Sequence, residues 1–160
     1  MNDYKVNNDE LYQELSKYIE KTKINPDVQM SDKLGTMITK IVRGFSCRPS
    51  FNTYFFKDEM ISLGIYYTCR YIKNYDLSKK NVHAYISKIA ENAFMAVINA
   101  EKRKLYVKRK MQLNSDSIMN VDNTGSHEIL KGTAGDFQAI EAFVYEYEQS
   151  EKFKRKKKKI

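Results

Sequence analysis

The sequence is poor in residues that interrupt helices or cross-link chains. Its 160 residues include only 6 glycines, 2 prolines and 2 cysteines, and no tryptophan. So few glycines and prolines argue against the many tight turns of an all-β fold and favour helices. Cys47 and Cys69 stand alone, without the paired spacing of a zinc site or a redox motif. We therefore expect two reduced, buried thiols.

Long apolar runs and catalytic motifs are also missing. No stretch approaches the roughly 18 apolar residues of a membrane-spanning helix, and MNDYKVNNDE lacks the apolar core of a signal peptide. No serine or cysteine has a nucleophile signature around it, and no glycine-rich phosphate loop is present. His83 and His127 lie far apart, without metal-ligand spacing. We expect an intracellular protein without membrane contact, enzymatic activity, cofactor or metal.

Charge of both signs is abundant but unevenly placed. The net charge is +8, which favours a polyanionic partner. Residues 1–110 carry 20 basic and 12 acidic side chains, residues 111–151 carry one basic and eight acidic, and residues 152–160 carry seven basic. This division predicts a basic domain, an acidic connector and a basic tail. A flexible, solubilising tail and a tail that touches DNA both fit the composition.

Apolar residues recur at helical spacing along most of the chain, which predicts an all-α, compact helical bundle. The connection over residues 47–56 is rich in turn residues and aromatics. Ile61, Ile65 and Tyr71 are among the residues that the third predicted helix, residues 57–74, should bury. Asn81 is a suitable N-cap for the fourth helix. The predicted helices run over residues 8–23, 31–45, 57–74, 81–110 and 137–150.

The fourth predicted helix ends in six basic side chains within nine positions. A basic run on a helix is commonly a solvated face. Here the block is local, and Tyr85 lies one turn before Lys88 at the start of the same helix. Aromatic rings stack on unpaired bases while neighbouring cations hold phosphates, as single-stranded DNA binding requires. The six basic residues are Lys102, Arg103, Lys104, Lys108, Arg109 and Lys110.

Short motifs in the central part of the chain carry a family resemblance. EMISLG (59–64) has an acidic, aliphatic, aliphatic, x, x, glycine pattern, and NYD (74–76) an aromatic-acidic pair. HAYI (83–86) and NAF (92–94) follow in order. Residues 59–104 resemble conserved region 2 of bacterial sigma factors and are similar to the late-transcription sigma factors of T-even-type bacteriophages.

The resemblance implies binding to the clamp helices of the host core RNA polymerase in the host cytoplasm, and direction of that enzyme to an AT-rich upstream promoter element. On the third helix, the residues outside the core stripe become the expected polymerase contacts: Glu59, Ser62, Leu63, Tyr66 and Arg70. Tyr85 matches a family aromatic that supports the melted strand, and Asn92 a side chain that reads a base pair. The full set of expected DNA contacts is Tyr85, Lys88, Asn92, Lys102, Arg103, Lys104, Lys108, Arg109 and Lys110.

The chain departs from the family pattern in several places. Lys88 and Ile89 stand where primary sigma factors have a tryptophan pair, and Leu63 occupies a position that is usually acidic. The phage proteins end in an apolar, acidic peptide that binds the sliding clamp, whereas this chain ends in KFKRKKKKI. The sequence leaves open whether a sliding clamp or co-activator takes part, with EAFVYE (141–146) as an alternative contact. It also leaves open a small basic helical DNA-binding regulator that does not act as a sigma factor.

Overall fold

The computed structural model describes residues 4–119 and 134–157, with side chains described within 4–114 and 138–152. All regular elements in these ranges are helical, which confirms the predicted all-α class. The chain divides into two compact units, Met1–Ile98 and Asn99–Ile160. The helices are α1 (Asn8–Ile24), α2 (Asp32–Ser46), α3 (Pro49–Asn52), α4 (Lys57–Tyr71), α5 (Val82–Met119) and α6 (Ala134–Lys157), and a 3-10 turn (Ile72–Asn74) follows α4.

Polar side chains begin the helices where the sequence predicted. The Ser31 hydroxyl accepts a hydrogen bond from the Leu34 amide at 3.3 Å, and the Asn81 side chain accepts one from the Ala84 amide at 3.0 Å. Each bond satisfies an amide that has no partner within the first helical turn. The first helix ends just before Pro26. Local chemistry therefore sets these boundaries.

Three aromatic rings meet in the core of the first unit. Phe45 from α2, Phe51 from α3 and Phe94 from α5 are buried, with ring centroids 5.3 to 5.7 Å apart. Two of the three pairs are edge-to-face, an arrangement that aromatic quadrupoles favour. Phe51 lies within the segment predicted to be a connection, which instead contains α3. Pro49 at the start of α3 is the sequence signal for that helix.

Gly64 allows α4 to approach both α2 and α5. A Cβ atom at this position would lie 3.0 Å from Phe94 Cε1 and 3.0 Å from Val42 Cγ1. Both of these side chains are fully buried and have little room to move. One turn later, the buried Thr68 hydroxyl donates a hydrogen bond to the Gly64 carbonyl at 2.8 Å. A glycine is therefore required where the three helices meet.

The third predicted helix differs from the structure at its C-terminal end. It ends at Tyr71, and the next three residues form the 3-10 turn. Tyr71 is 41% exposed rather than buried, because Ile72 and Tyr75 fill the adjacent core instead. Ile61 and Ile65, also expected in the core, are half-buried against its edge. The buried positions recur every four residues from Met60 to Ile72, which leaves Tyr71 outside this stripe.

The loop before α5 is held by the first helix. The Tyr12 hydroxyl donates to the Leu77 carbonyl at 2.8 Å, and the Asn8 side-chain amide donates to the Lys80 carbonyl at 2.8 Å. The Asn8 side-chain oxygen also accepts from the His83 amide at 3.2 Å. These bonds join residues more than sixty positions apart in sequence. They fix the start of α5 relative to the bundle.

Within the second unit, the C-terminal part of α5 packs against α6. The Tyr106 and Tyr147 rings stack with centroids 4.5 Å apart, and the Arg109 guanidinium lies 4.3 Å above the Phe143 ring. Of these two ring contacts, the one later in α5 meets the earlier residue of α6, so the two helices run antiparallel, and the long Lys110 side chain reaches back along α5 to Glu148. The second unit is thus a helical hairpin over its described residues.

The segments defined by charge do not coincide with the boundaries of the compact units. The charge pattern suggested a domain limit at residue 110, whereas the boundary between the compact units lies between Ile98 and Asn99. Residues 111–119 of the expected acidic connector continue α5, and residues 134–151 lie in α6. The predicted helix over 137–150 is therefore confirmed within a longer helix. Residues 120–133 lie outside the described part, as do residues 158–160 of the basic tail; residues 152–157 belong to α6.

Both cysteines are free and exposed. The prediction that they are buried is therefore wrong. Cys47 follows the end of α2, and Cys69 lies on the outer side of α4. Cysteine is frequently buried in proteins, but Cys47 lies beyond the last turn of α2 and Cys69 lies outside the buried stripe of α4.

Replacing Gly64 and Gly35 by alanine, one at a time, separates core packing from helix propensity. No atom lies within 4 Å of an added Cβ at Gly35, so Gly35→Ala should stabilise the fold by about 0.5 to 1 kcal/mol. At Gly64 the added methyl meets two immobile side chains, and overpacking of about 1 to 3 kcal/mol should outweigh the same gain. Urea unfolding of both variants measures the difference. Equal stabilisation would show that the core has room at Gly64.

Candidate functional site

The residues predicted to contact polymerase share one face of α4. They recur at spacings of three and four, so they lie close together along the helix. Glu59, Ser62, Tyr66 and Arg70 are exposed, and Leu63 is half-buried against the core. Tyr66 is 56% exposed near the centre of this set. We refer to these five residues as the α4 face; it combines apolar, aromatic and charged groups.

Tyrosine rings continue the α4 face toward the end of the helix. Ring centroids of Tyr66 and Tyr67 are 5.4 Å apart, and those of Tyr67 and Tyr71 are 6.0 Å apart. The Arg70 guanidinium lies 5.6 Å from the Tyr71 ring centroid, within the range of a cation–π contact. Sequence reasoning missed Tyr67 and assigned Tyr71 to the core. The neighbouring tyrosines limit the motion of Tyr66 and Arg70.

Tyr85 is anchored rather than free. Its ring centroid lies 5.0 Å from that of Tyr75, and its hydroxyl donates to the Tyr71 carbonyl at 3.2 Å. Partial burial raises the pKa of the Tyr85 hydroxyl, so the group stays neutral. Only part of the ring is exposed for stacking on a base. The same hydroxyl connects the first turn of α5 to the end of α4.

Asn92 and Lys88 differ in whether their polar groups already have a partner among the described residues. Asn92 is exposed, and its side chain makes no hydrogen bond to any residue that the structure describes. Lys88 is also exposed, but its ammonium group pairs with the Glu91 carboxylate at 2.7 Å. The Asn92 amide can therefore meet a ligand directly, whereas Lys88 must share its charge with Glu91.

The basic end of α5, residues 102–110, contains three engaged cations. Lys104 forms an ion pair with Glu101 one turn earlier. Lys110 pairs with Glu148 of α6 at 2.7 Å, and Arg109 lies over a ring of the same helix. The hydrogen bond from Lys110 is the main reason that the pKa of Glu148 lies below its usual value. Half of the predicted phosphate-binding cations thus already have partners.

The other three cations of the basic end are available. Lys102, Arg103 and Lys108 are exposed, and none pairs with an acidic group within residues 4–114 or 138–152. Arg103 and Lys108 also border an open groove of about 830 Å³. Its apolar lining includes Val107 and Met111, which are 41% and 64% exposed. The surface is therefore amphipathic, a feature that the charge pattern did not reveal.

The segment suggested as an alternative sliding-clamp contact, residues 141–146, lies in α6. Tyr145 is 65% exposed, and the two glutamates that bound the segment are exposed as well. Phe143 is half-buried beneath the Arg109 guanidinium. Of its aromatic residues, only Tyr145 is largely open to a partner.

No family model and no curated protein matches the chain. The functional interpretation therefore rests on the residues and their arrangement in the structure. Among the described residues, no group of three or more His, Cys, Asp and Glu side chains is arranged to hold a metal ion. His127 lies outside the described residues. None of the described helices has the length and apolar character needed to cross a membrane.

Two double substitutions with equal loss of charge test which cations bind nucleic acid. Lys102→Ala with Lys108→Ala removes unpaired ammonium groups, whereas Lys88→Ala with Lys104→Ala removes groups that already pair with glutamates. The first variant should bind duplex DNA roughly tenfold more weakly, with a salt slope flatter by about 1.8, since each phosphate contact contributes about 0.9. Fluorescence anisotropy over a salt series measures both quantities. Equal losses in the two variants would mean that only net charge matters.

Proposed function

We propose that this protein is a sigma-like transcription initiation factor that binds host core RNA polymerase through the α4 face and directs it to an AT-rich promoter element through α5. The observation that carries the proposal is the pairing of two distinct exposed surfaces in the first unit. The α4 face is mixed and tyrosine-rich, while α5 presents an exposed Asn92, which has no hydrogen-bond partner among the described residues, beyond an anchored Tyr85. These surfaces coincide with the motifs that resemble sigma region 2.

The α4 face has the chemistry of a protein-binding surface. Tyrosine and arginine are enriched among residues that dominate binding energy, and both occur here as Tyr66 and Arg70. Leu63 supplies partly exposed apolar area beside them. Glu59, in the first turn of α4, also complements the helix dipole. This mixture fits another helix that presents apolar and charged groups, such as the clamp helices of polymerase.

The α5 surface has the chemistry needed to read and hold DNA. An asparagine amide can form two hydrogen bonds with adenine, worth about 1 to 3 kcal/mol of discrimination, which fits an AT-rich element. Stacking of a base on Tyr85 would add about 1 to 3 kcal/mol. The unpaired cations of the basic end would hold phosphates, which positions the protein without reading sequence.

One observation favours a second candidate, a small basic helical DNA-binding regulator that does not act through polymerase. Lys102, Arg103 and Lys108 have no acidic partner among the side chains of residues 4–114 and 138–152. They could attract DNA before any polymerase is present. Such a regulator would shift duplex DNA by itself and would not remain bound to core polymerase during purification. A sigma factor would bind core polymerase and need it for promoter recognition.

Two variants should separate polymerase binding from DNA binding. Tyr66→Ala should weaken binding to core polymerase about 10- to 30-fold, as loss of an aromatic interface residue commonly does, and leave duplex binding unchanged. Replacing Lys102, Arg103 and Lys104 by alanine should lower open-complex formation and flatten its salt dependence, with polymerase binding near wild type. Co-purification with core polymerase and permanganate detection of melted promoter DNA read the two effects.

Circular dichroism of both variants checks that the helices persist. Loss of polymerase binding in the triple variant would reassign the basic end to the polymerase interface. No binding of wild type to core polymerase would favour the DNA-binding regulator, and wild-type binding that is unchanged in the Tyr66 variant would remove Tyr66 from the polymerase interface.

A further inference from the structure

Helix α6 places a carboxylate on Lys110, a cation that the sequence pattern predicts to contact DNA but that is already paired in the structure. Glu148 Oε1 lies 2.7 Å from the Lys110 ammonium nitrogen and accepts a hydrogen bond from the Tyr106 hydroxyl at 2.7 Å. Lys110 also donates to the Tyr106 oxygen at 2.8 Å. A carboxylate and a phosphate are alternative acceptors for the same ammonium group. Glu148 therefore occupies the position that a phosphate would take on Lys110.

Aromatic contacts hold this carboxylate in place. Tyr147, which precedes Glu148 in sequence, stacks on Tyr106, and Phe143 covers the Arg109 guanidinium. Two adjacent cations of the basic end are thus engaged by α6 at once. Because the Tyr106–Tyr147 stack joins two neutral rings, it keeps Glu148 near Lys110 even when salt screens the ion pair.

The ion pair is suited to exchange with a stronger anion. The side chains of Lys110 and Glu148 retain 48% and 37% of their exposure, so solvent weakens their attraction. The Lys110 hydrogen bond lowers the pKa of Glu148, so the carboxylate stays charged at neutral pH. DNA offers many phosphates together and gains from counterion release. A polyanion can therefore displace a single exposed carboxylate.

We propose that α6 is an internal competitor of nucleic-acid phosphate for the basic end of α5, with Glu148 occupying Lys110 until DNA replaces it. The inference rests on the DNA-binding part of the proposed function and adds a means of regulation to it. Without DNA, the hairpin reduces the number of free cations and so limits non-specific binding. When promoter DNA binds, a phosphate displaces Glu148 from Lys110, and Lys110 then forms an additional contact with the DNA.

Glu146 provides a matched control for Glu148. It lies two residues earlier in α6, is exposed, and has no charged partner within the described side chains. Glu148→Gln and Glu146→Gln in the full chain remove the same negative charge. Only Glu148→Gln releases Lys110, and glutamine can still accept the Tyr106 hydrogen bond. Both variants should retain the helical content of wild type by circular dichroism.

Binding of a labelled duplex by fluorescence anisotropy, from about 50 to 200 mM salt, tests the competition. Glu148→Gln should bind about 3- to 10-fold more tightly than Glu146→Gln, and its salt slope should steepen by about 0.9, the contribution of one added phosphate contact. This gain should vanish in a Lys110→Ala background, as a double-mutant cycle requires for a direct pair.

Three other results would overturn the inference. If the two glutamine variants bind equally, α6 acts only through its net charge, and if the gain persists without Lys110, Glu148 acts through a group other than Lys110; in both cases DNA binding itself stands. If no variant binds duplex DNA, the basic end is not a phosphate site, and the DNA-binding part of the proposed function fails with the inference. Polymerase binding through the α4 face is measured separately and is unaffected by this outcome.

Discussion

The close contact between Gly64 of α4 and Phe94 of α5 determines which way both candidate surfaces point. Side chains two positions apart in a helix are separated by about 200° around its axis. Since Gly64 faces the core, Tyr66 faces away from it, and since Phe94 is buried, Asn92 is turned outward. A single packing constraint thus exposes one residue suited to a protein partner and another suited to a base. The Tyr85 hydroxyl, bonded to the Tyr71 carbonyl, joins the same two helices at their adjacent ends.

Net charge overstates how much of this protein is ready to bind a polyanion. Lys88, Lys104 and Lys110 each meet a glutamate, so only part of the basic character is available without rearrangement. Exposed ion pairs are weak, and phosphates can replace their acidic members. Acidic residues after the basic block therefore do more than keep the protein soluble, since Glu148 directly contacts Lys110 at the end of that block. Charge blocks that look separate in the sequence become neighbours when α6 returns along α5.

Residues that follow local rules could be predicted from the sequence, and residues that depend on tertiary contacts could not. The cap at Asn81, the helical spacing of α2 and the end of α1 arise from neighbouring residues, and each lies within one or two residues of where the pattern indicated. The exposure of Asn92 and Tyr66 likewise follows from helical spacing. By contrast, the burial of Phe51 depends on Phe45 and Phe94, which come from other helices. The partners of Tyr85 and Lys110 also come from distant segments, so periodicity along one helix could not reveal that these groups are engaged.

The central claim is that the α4 face and α5 act together to choose where polymerase starts. In vitro transcription with purified host core enzyme on a supercoiled AT-rich template, with start sites mapped by primer extension, tests this most directly. Added protein should produce discrete new start sites that follow an AT-rich element and disappear when that element is replaced by GC-rich sequence. An unchanged pattern of transcripts, with the protein failing to associate with core polymerase in the same reactions, would contradict the account.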